Sequence, residues 1–269
     1  MQKNFGGLLL FLKRWKMIDL VAGYARGYNA EQIRPFLKSL RDTGYEGDIL
    51  LFADGDAAKE AEKWDVEIHP VPKLRIKVHS DRFLCLEEVI KKQPCEGVFL
   101  ADTRDVIFQK NPSNNLPSHW PTIHAFEEDE SMSLGSCPYN SKWIKIGYGE
   151  DMLKELSGHP ISCVGTISGD YLSILVYLKQ QVEEVMRLQP KTTEPQDQAT
   201  HNYLIRKVLK TTIWNNEEGE VYTVGYIPRG SVKIQDGKII NKAEKVPTVI
   251  HQWDRHKNLT RFVEERYNK

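Results

Sequence analysis

The chain has 269 residues, enough for one large domain with a sizeable core or for two small ones. Its 37 basic and 37 acidic side chains cancel, so no global field marks it as a partner for nucleic acid or for an acidic surface. Four scattered cysteines (Cys85, Cys95, Cys137, Cys163) show no CxxC pair and no zinc-like spacing with histidine, which fits reduced thiols and a cytoplasmic location.

Residues 1–16 read as a leader, expected to be disordered or loosely packed. Its apolar run, Leu8 to Leu12, is closed by Lys13, Arg14 and Lys16. That run is far short of the roughly 20 residues of a spanning helix and has no cleavage site of a signal peptide. A weak peripheral membrane contact is the alternative for this segment, and no transmembrane segment is expected elsewhere.

From residue 17 the pattern alternates. A short apolar strand (17–25) precedes a helix over 30–44, with Ile33, Phe36, Leu37 and Leu40 at helical spacing and Gly44 as its stop signal. A strand (47–56), a helix (57–65), a strand (66–72), a helix over 80–94 opened by a Ser80/Asp81 cap, and a strand (96–102) follow. Short strands that are apolar on both faces and separated by helices predict an α/β fold, with a mostly parallel sheet covered on both sides. Ligands of such sheets lie beyond the carboxyl ends of the strands. The expected ends are Gly23–Tyr24–Ala25, Ala53–Asp54 and Ala101–Asp102.

After residue 112 the rhythm loosens. A loop leads to a strand and an acidic stretch at 122–132. A small-residue strand-turn then enters a long amphipathic helix (159–190), and another helix spans 194–210. Strand-like pieces finish the chain. With no repeat or linker, the expectation is a single domain over 17–269, a nucleotide-binding half (17–112) followed by an acceptor-side half (113–269).

The stretch VFLADTRDVIFQKNP (98–112) places Asp102 and Asp105 at the tip of a buried strand. Taken alone, the two acids fit a type I turn or an ion pair with Arg104. The whole stretch, however, closely resembles the DxD region of GT-A-fold glycosyltransferases: apolar strand, Asp-x-Asp, apolar pair, Asn-Pro. The spacing here is Asp-x-x-Asp, so Asp105 matches the family's second acid and Thr103 stands where its first would be. The resemblance implies a GT-A (Rossmann-like) fold and a metal-dependent transfer of a sugar from a nucleoside diphosphate. Asp105 would hold Mn²⁺ or Mg²⁺, with Asp102 on the ribose or near the metal. Thr103 and Arg104 would lie at the nucleotide.

Other marks follow in the family's order. His251, in VIHQWDRHKNL (249–259), resembles the late histidine that completes the metal site of glycogenin-type enzymes. Arg255 there is either a phosphate ligand or part of a surface charge cluster. SCVGTISGDYL (162–172) resembles the segment that lets the donor sugar approach backbone at Gly165. Asp170 within it is either a helix cap or a sugar ligand. EPQDQATHNYL (194–204) looks like an Asp-Gln helix start near the acceptor, where Asp197 is either a first-turn acid or a catalytic contact. Asp197, His201, Leu204 and Val208 would share one helical face. Arg82, on one face with Leu86 and Val89, would point toward the cleft as a partner for pyrophosphate or for the acids. Ala22, Gly23, Tyr24 and Asp54 are the remaining expected nucleotide contacts.

The chain as a whole is similar to soluble bacterial and algal-virus transferases, and its expected donor is a UDP-sugar, passed by a hexosyl- or pentosyltransferase to a glycan or glycoprotein hydroxyl. Retention or inversion is open. For an inverting enzyme, Asp170, Asp197 and the cluster Glu127–Glu128–Asp129 all offer a base. The rival readings are a sugar-nucleotide nucleotidyltransferase and a non-catalytic nucleotide- or sugar-binding module.

Overall fold

The computed structural model describes residues 18–118 and 121–268. The expected leader lies outside them. The strands are Ile18–Ala25 (β1), Asp48–Ala53 (β2), Glu67–Pro70 (β3), Gly97–Asp102 (β4), Val106–Phe108 (β5), Ile123–Glu127 (β6), Ser162–Asp170 (β7), Thr211–Trp214 (β8), Val221–Thr223 (β9), Lys233–Gln235 (β10), Lys238–Ile240 (β11) and Val249–His251 (β12). The helices are Ala30–Asp42 (α1), Gly55–Ala61 (α2), Val78–Ile90 (α3), Pro112–Asn115 (α4), Pro138–Tyr148 (α5), Glu150–Leu156 (α6), Tyr171–Leu188 (α7), Asp197–Tyr203 (α8) and Lys257–Tyr267 (α9).

A seven-stranded sheet of order β3-β2-β1-β4-β7-β6-β8 forms the centre. All its neighbours pair in parallel except around β7, which runs antiparallel to both β4 and β6. The fold is therefore α/β with a mostly parallel sheet, in keeping with a Rossmann-like arrangement. Alternation along the strands feeds two apolar layers. Val21, Leu51 and Phe99 pack in the layer with Ile33, Phe36 and Leu37 of α1, while Leu20, Leu50, Val98 and Leu100 pack in the layer with Leu86 of α3 and Tyr177 of α7. Each fully buried Phe or Leu contributes roughly 1.5–3 kcal/mol. The sheet draws strands from both sides of residue 112.

Local signals explain the element ends. At the start of α1, Asn29 Oδ1 accepts from the Gln32 N–H and Gln32 Oε1 accepts from the Asn29 N–H, a reciprocal cap. Gly44 takes a φ of 76° just beyond that helix, as its stop signal requires. The start of α3 departs from the expected Ser80/Asp81 cap. The helix begins at Val78, and Asp81 lies inside its first turn, where its Oδ1 accepts from Arg75 N and Nε. The carboxylate thus anchors the loop before the helix rather than the helix end. The helix expected over 194–210 is α for one stretch only. At Leu204–Val208 it widens into a π turn, with Leu209 N–H bonded to Leu204 C=O, and Val208 is left half-exposed instead of sharing the buried face of Asp197.

A smaller sheet, β5-β12-β9, sits beside the main one. In it β5 pairs antiparallel with β12, and β12 pairs parallel with β9. This pairing sets His251 opposite Val106, immediately after Asp105. A chain separation of well over a hundred residues is thereby closed by three ladder positions.

Candidate metal centre and ligand cleft

Asp102 ends β4 at the carboxyl edge of the parallel strands, level with Tyr24 of β1. The chain then turns through Thr103 and Arg104 and leaves the main sheet as β5. The two intervening residues point elsewhere. Thr103 is buried, and its Oγ1 donates to the Tyr24 carbonyl at 3.0 Å. Arg104 is exposed and pairs with Asp254 at 3.1 Å. The extra residue in Asp-x-x-Asp is thus the turn itself: one side chain plugs the sheet edge, one ties down the loop after β12, and both acids face one cleft.

His251 completes the group. Its Nε2 lies 3.6 Å from Asp102 Oδ2 and 3.8 Å from Asp105 Oδ1. The three ligand atoms fall within 4.8 Å of one another. His251 Nε2 is buried and has no hydrogen-bond partner among the described residues, and its contacts to the acids are too long for hydrogen bonds. On its other side, Nδ1 stands 3.4 Å from Thr223 Oγ1, which fixes the ring. A Cβ at Gly165 would overlap Asp102 Oδ2 and stand 2.8 Å from His251 Cε1, so only glycine leaves this space open. Two carboxylates and one imidazole, closed in by a bare backbone wall, fit a hard or borderline divalent cation such as Mn²⁺ or Mg²⁺.

The electrostatics follow from burial and neighbours. Burial alone would raise the Asp102 carboxyl, but Arg82 and His251 outweigh it and hold it below the usual carboxylate range. Burial pushes the Asp105 carboxyl up, with His251 opposing and the charge of Asp102 adding to the rise. Burial disfavours a charged His251 ring, yet the two acids prevail and raise it. The two acids and the ring thus perturb one another strongly, with Arg82 already offsetting the charge of Asp102.

Arg82 points into the same cleft, as its position on α3 predicts. It is paired with Asp102 and lies 3.4 Å from Asp197. Asp197 opens α8 and is 6% exposed, so it is both a first-turn acid and a cleft residue. Its helical neighbour His201 faces the interior instead, between Ser162 Oγ at 3.0 Å and Tyr177 OH at 2.9 Å. Arg255 lines the cleft, is exposed, and forms no ion pair among the described residues.

Several expected site residues lie elsewhere. Ala22 is fully buried in the apolar layer against α3 and α7. Gly23 makes room for the Thr103 methyl, with which a Cβ there would collide. The Tyr24 ring packs tilted against Phe52 with ring centres 6.1 Å apart, and Asp54 Oδ1 accepts from the Gly27 N–H at 2.7 Å. These four residues shape the edge of the sheet, and the cleft wall in their place is Tyr28 with His79. The Thr103 hydroxyl is likewise bonded to backbone, at the Tyr24 carbonyl. Asp170 belongs to the opposite end of the sheet, level with Gly97, where it caps α7 by accepting from the Ser173 N–H at 3.2 Å. Of its two expected roles, the cap is the one seen in the structure.

The cleft encloses about 370 Å³, within the range of small-ligand sites of roughly 300–1,000 Å³. Its far wall comes from residues the sequence reading passed over or left in a group. Of the acidic cluster, Glu127 is bound to Arg206 at 3.0 Å and Asp129 to Lys242 at 2.6 Å. Only Glu128 enters the cleft. A register shift between Ala125 and Glu127 precedes it, and its N–H is held by the Ile161 carbonyl at 2.7 Å. Burial pushes its carboxyl up to about 7, and Oε2 has no hydrogen-bond partner among the described residues. Tyr139, Asn140 and Trp143 of α5 stand nearby along the same wall, with Cys163, Gln198, Tyr226 and Gln252.

No protein-family model matches the chain, and no curated protein is significantly similar to it. No helix among the described residues is long and apolar enough to cross a membrane.

Proposed function

We propose that the chain is a metal-dependent glycosyltransferase of the GT-A type, which moves a sugar from a nucleoside-diphosphate sugar, UDP-linked by preference, to an acceptor hydroxyl. The observation that carries this reading is the convergence of Asp102, Asp105 and the distant His251 around one space that Gly165 keeps open. Asp105 and His251 would hold Mn²⁺ or Mg²⁺, with Asp102 beside them. The cation, when bound, screens the diphosphate and stabilises charge on the leaving nucleotide.

The protein's own groups supply the rest. Arg82 neutralises Asp102 and Asp197, which keeps an otherwise repulsive acid cluster ready for its ligand. Arg255, with no ion pair among the described residues, is the cation available to a phosphate at the mouth. Asp197 orients Arg82, and Asp170 plays no part in the chemistry because it sits at the other edge of the sheet. Glu128 is the cleft acid with a free carboxylate oxygen and an affinity for protons near neutrality, as an acid or base for the acceptor hydroxyl requires.

Thermal shift with UDP-, GDP- and dTDP-sugars, each with and without Mn²⁺, tests the reading. A rise in Tm with one nucleotide only when metal is present supports it. Stabilisation that ignores metal, or none with any sugar nucleotide, sinks it.

A further inference from the structure

Three segments that touch one another form a rim on one side of the cleft mouth. The loop leading into α3 meets the segment before α8 where Lys77 Nζ donates to the Thr193 carbonyl. That segment in turn meets α5, where Lys142 and the Trp143 indole share the Glu194 carboxylate at 2.8 and 3.3 Å. His79, Tyr139 and Trp143 of these segments line the cleft itself.

The rim is unlike the rest of the molecule in charge. Residues 71–79, 138–148 and 189–194 carry six lysines and arginines and a single acid, in a chain whose charges cancel overall. Arg75 is paired with Asp81, Lys145 with Glu150 and Lys142 with Glu194. Lys73, Lys77 and Lys191 have no carboxylate partner among the described residues, and Lys73 and Lys191 are exposed. The rim also holds Leu74, Val78, Tyr139 and Ile146, each more than a third exposed. In the stretch KLRIKV (73–78) apolar and basic side chains alternate. Such a mixture has no use for burial in the chain's own core, and exposed apolar groups beside uncompensated cations mark a contact surface. A nucleic acid would meet the lysines but leave Leu74 and Val78 in water. An anionic bilayer meets both: its headgroups attract the lysines, short apolar tips enter the boundary of the acyl chains, and tyrosine sits at headgroup depth. No helix among the described residues can cross a membrane, so the contact is one made from the side.

We propose that this rim is a docking surface for an anionic lipid bilayer, with Lys73, Lys77 and Lys191 over the headgroups and Leu74, Val78 and Ile146 dipping beneath them. Docked in this way, the protein turns the mouth of its cleft toward the membrane. The inference stands apart from the transferase reading, because the rim includes none of the metal ligands and its binding needs neither cation nor nucleotide.

Co-sedimentation of the full chain with vesicles of phosphatidylcholine and phosphatidylserine in equal parts, against phosphatidylcholine alone, tests it. The protein sediments with the mixed vesicles only, and less so as salt rises, since surface charges are screened over about 8–10 Å at ordinary ionic strength. A lysine close to an anionic surface strengthens binding about fivefold, so Lys73→Gln combined with Lys191→Gln weakens it roughly 25-fold. Leu74→Asn weakens it about tenfold. Lys91→Gln combined with Lys92→Gln removes the same charge from two exposed lysines just before β4, at the other edge of the sheet, and leaves binding unchanged. All these side chains are exposed, so each variant keeps the melting temperature of the parent. Failure to sediment with the mixed vesicles, or an equal loss in the Lys91/Lys92 variant, overturns the surface. Undiminished binding in Leu74→Asn overturns it as well, because a rim that offers charge alone would serve any polyanion, an RNA included.

Discussion

The two walls of the cleft are built on opposite principles. The wall from β4, α3 and β12 is charged and internally matched: Arg82 sits between Asp102 and Asp197, and His251 faces two acids. The wall from α5 and the end of β6 brings a single acid into the cleft, Glu128, whose Oε2 is unmatched among the described residues, beside two aromatic rings. A charged wall of this kind suits a cation and phosphates, whose fields it can meet without rearrangement. The unmatched acid of the other wall suits a ligand that brings its own hydroxyl donor. Between them they offer places for the two halves of a group-transfer reaction.

The sharpest way to break this contrast is at Asp105. Asp105→Asn keeps size and hydrogen bonding but removes a ligand charge, and metal-dependent turnover should fall about a thousandfold with the melting temperature maintained. Steady-state assay with Mn²⁺ checks it. Retained turnover would place the chemistry away from the charged wall. Next in size is Arg82→Leu. With its guanidinium gone, Asp102 and Asp197 are left close together without their cation, and denaturant unfolding should show a loss of about 2–3 kcal/mol.

A pH effect tests the support under both walls. Burial, aided by Arg206 and Arg82, lowers the His201 ring to about 3. Below about 6.5 the unfolded chain binds this proton and the folded chain does not. Stability is therefore complete above that pH and falls as pH drops toward 3, by up to about 1.4 kcal/mol per unit. His201→Gln should flatten the difference between unfolding free energies measured at pH 7 and pH 5. The smallest expected effect is that of Asp170→Ala, which removes the α7 cap. It should cost about 1 kcal/mol of stability and leave turnover unchanged. A collapse of turnover would return Asp170 to the chemistry.

The wall of Asp102, Asp105, Arg82 and His251 was more legible in the sequence than the α5 wall, for physical reasons. Asp102, Asp105, Arg82 and His251 stand at strand ends or on helical faces whose period is plain, so their direction follows from pattern alone. The α5 helix buries only Asn140 and Ile144 among its residues, so it gives no apolar stripe to read. Pro138 at its start was its one local sign. Helix α9 is different: Leu259, Val263 and Tyr267 recur at helical spacing and are buried, a legible pattern that the reading of the C-terminus as strand-like pieces passed over. What pattern did not give was register. The residues Ala22, Gly23, Tyr24 and Thr103 were correctly placed at the edge of the sheet, but whether a side chain there meets a ligand or a neighbour depends on contacts such as that of Thr103 with the Tyr24 carbonyl. The same contacts explain why Asp-x-x-Asp, with its additional residue, still brings both acids to one place.

The central claim is that these acids and His251 form a metal centre that works together with a nucleoside diphosphate. Its most direct test is titration of Mn²⁺ into the protein, followed by the loss of the free-ion electron paramagnetic resonance signal, with and without UDP. The account predicts a single equivalent of Mn²⁺ bound per chain, held more tightly when UDP is present and released in Asp105→Asn. A signal from free Mn²⁺ that does not change on adding protein and UDP together would contradict it.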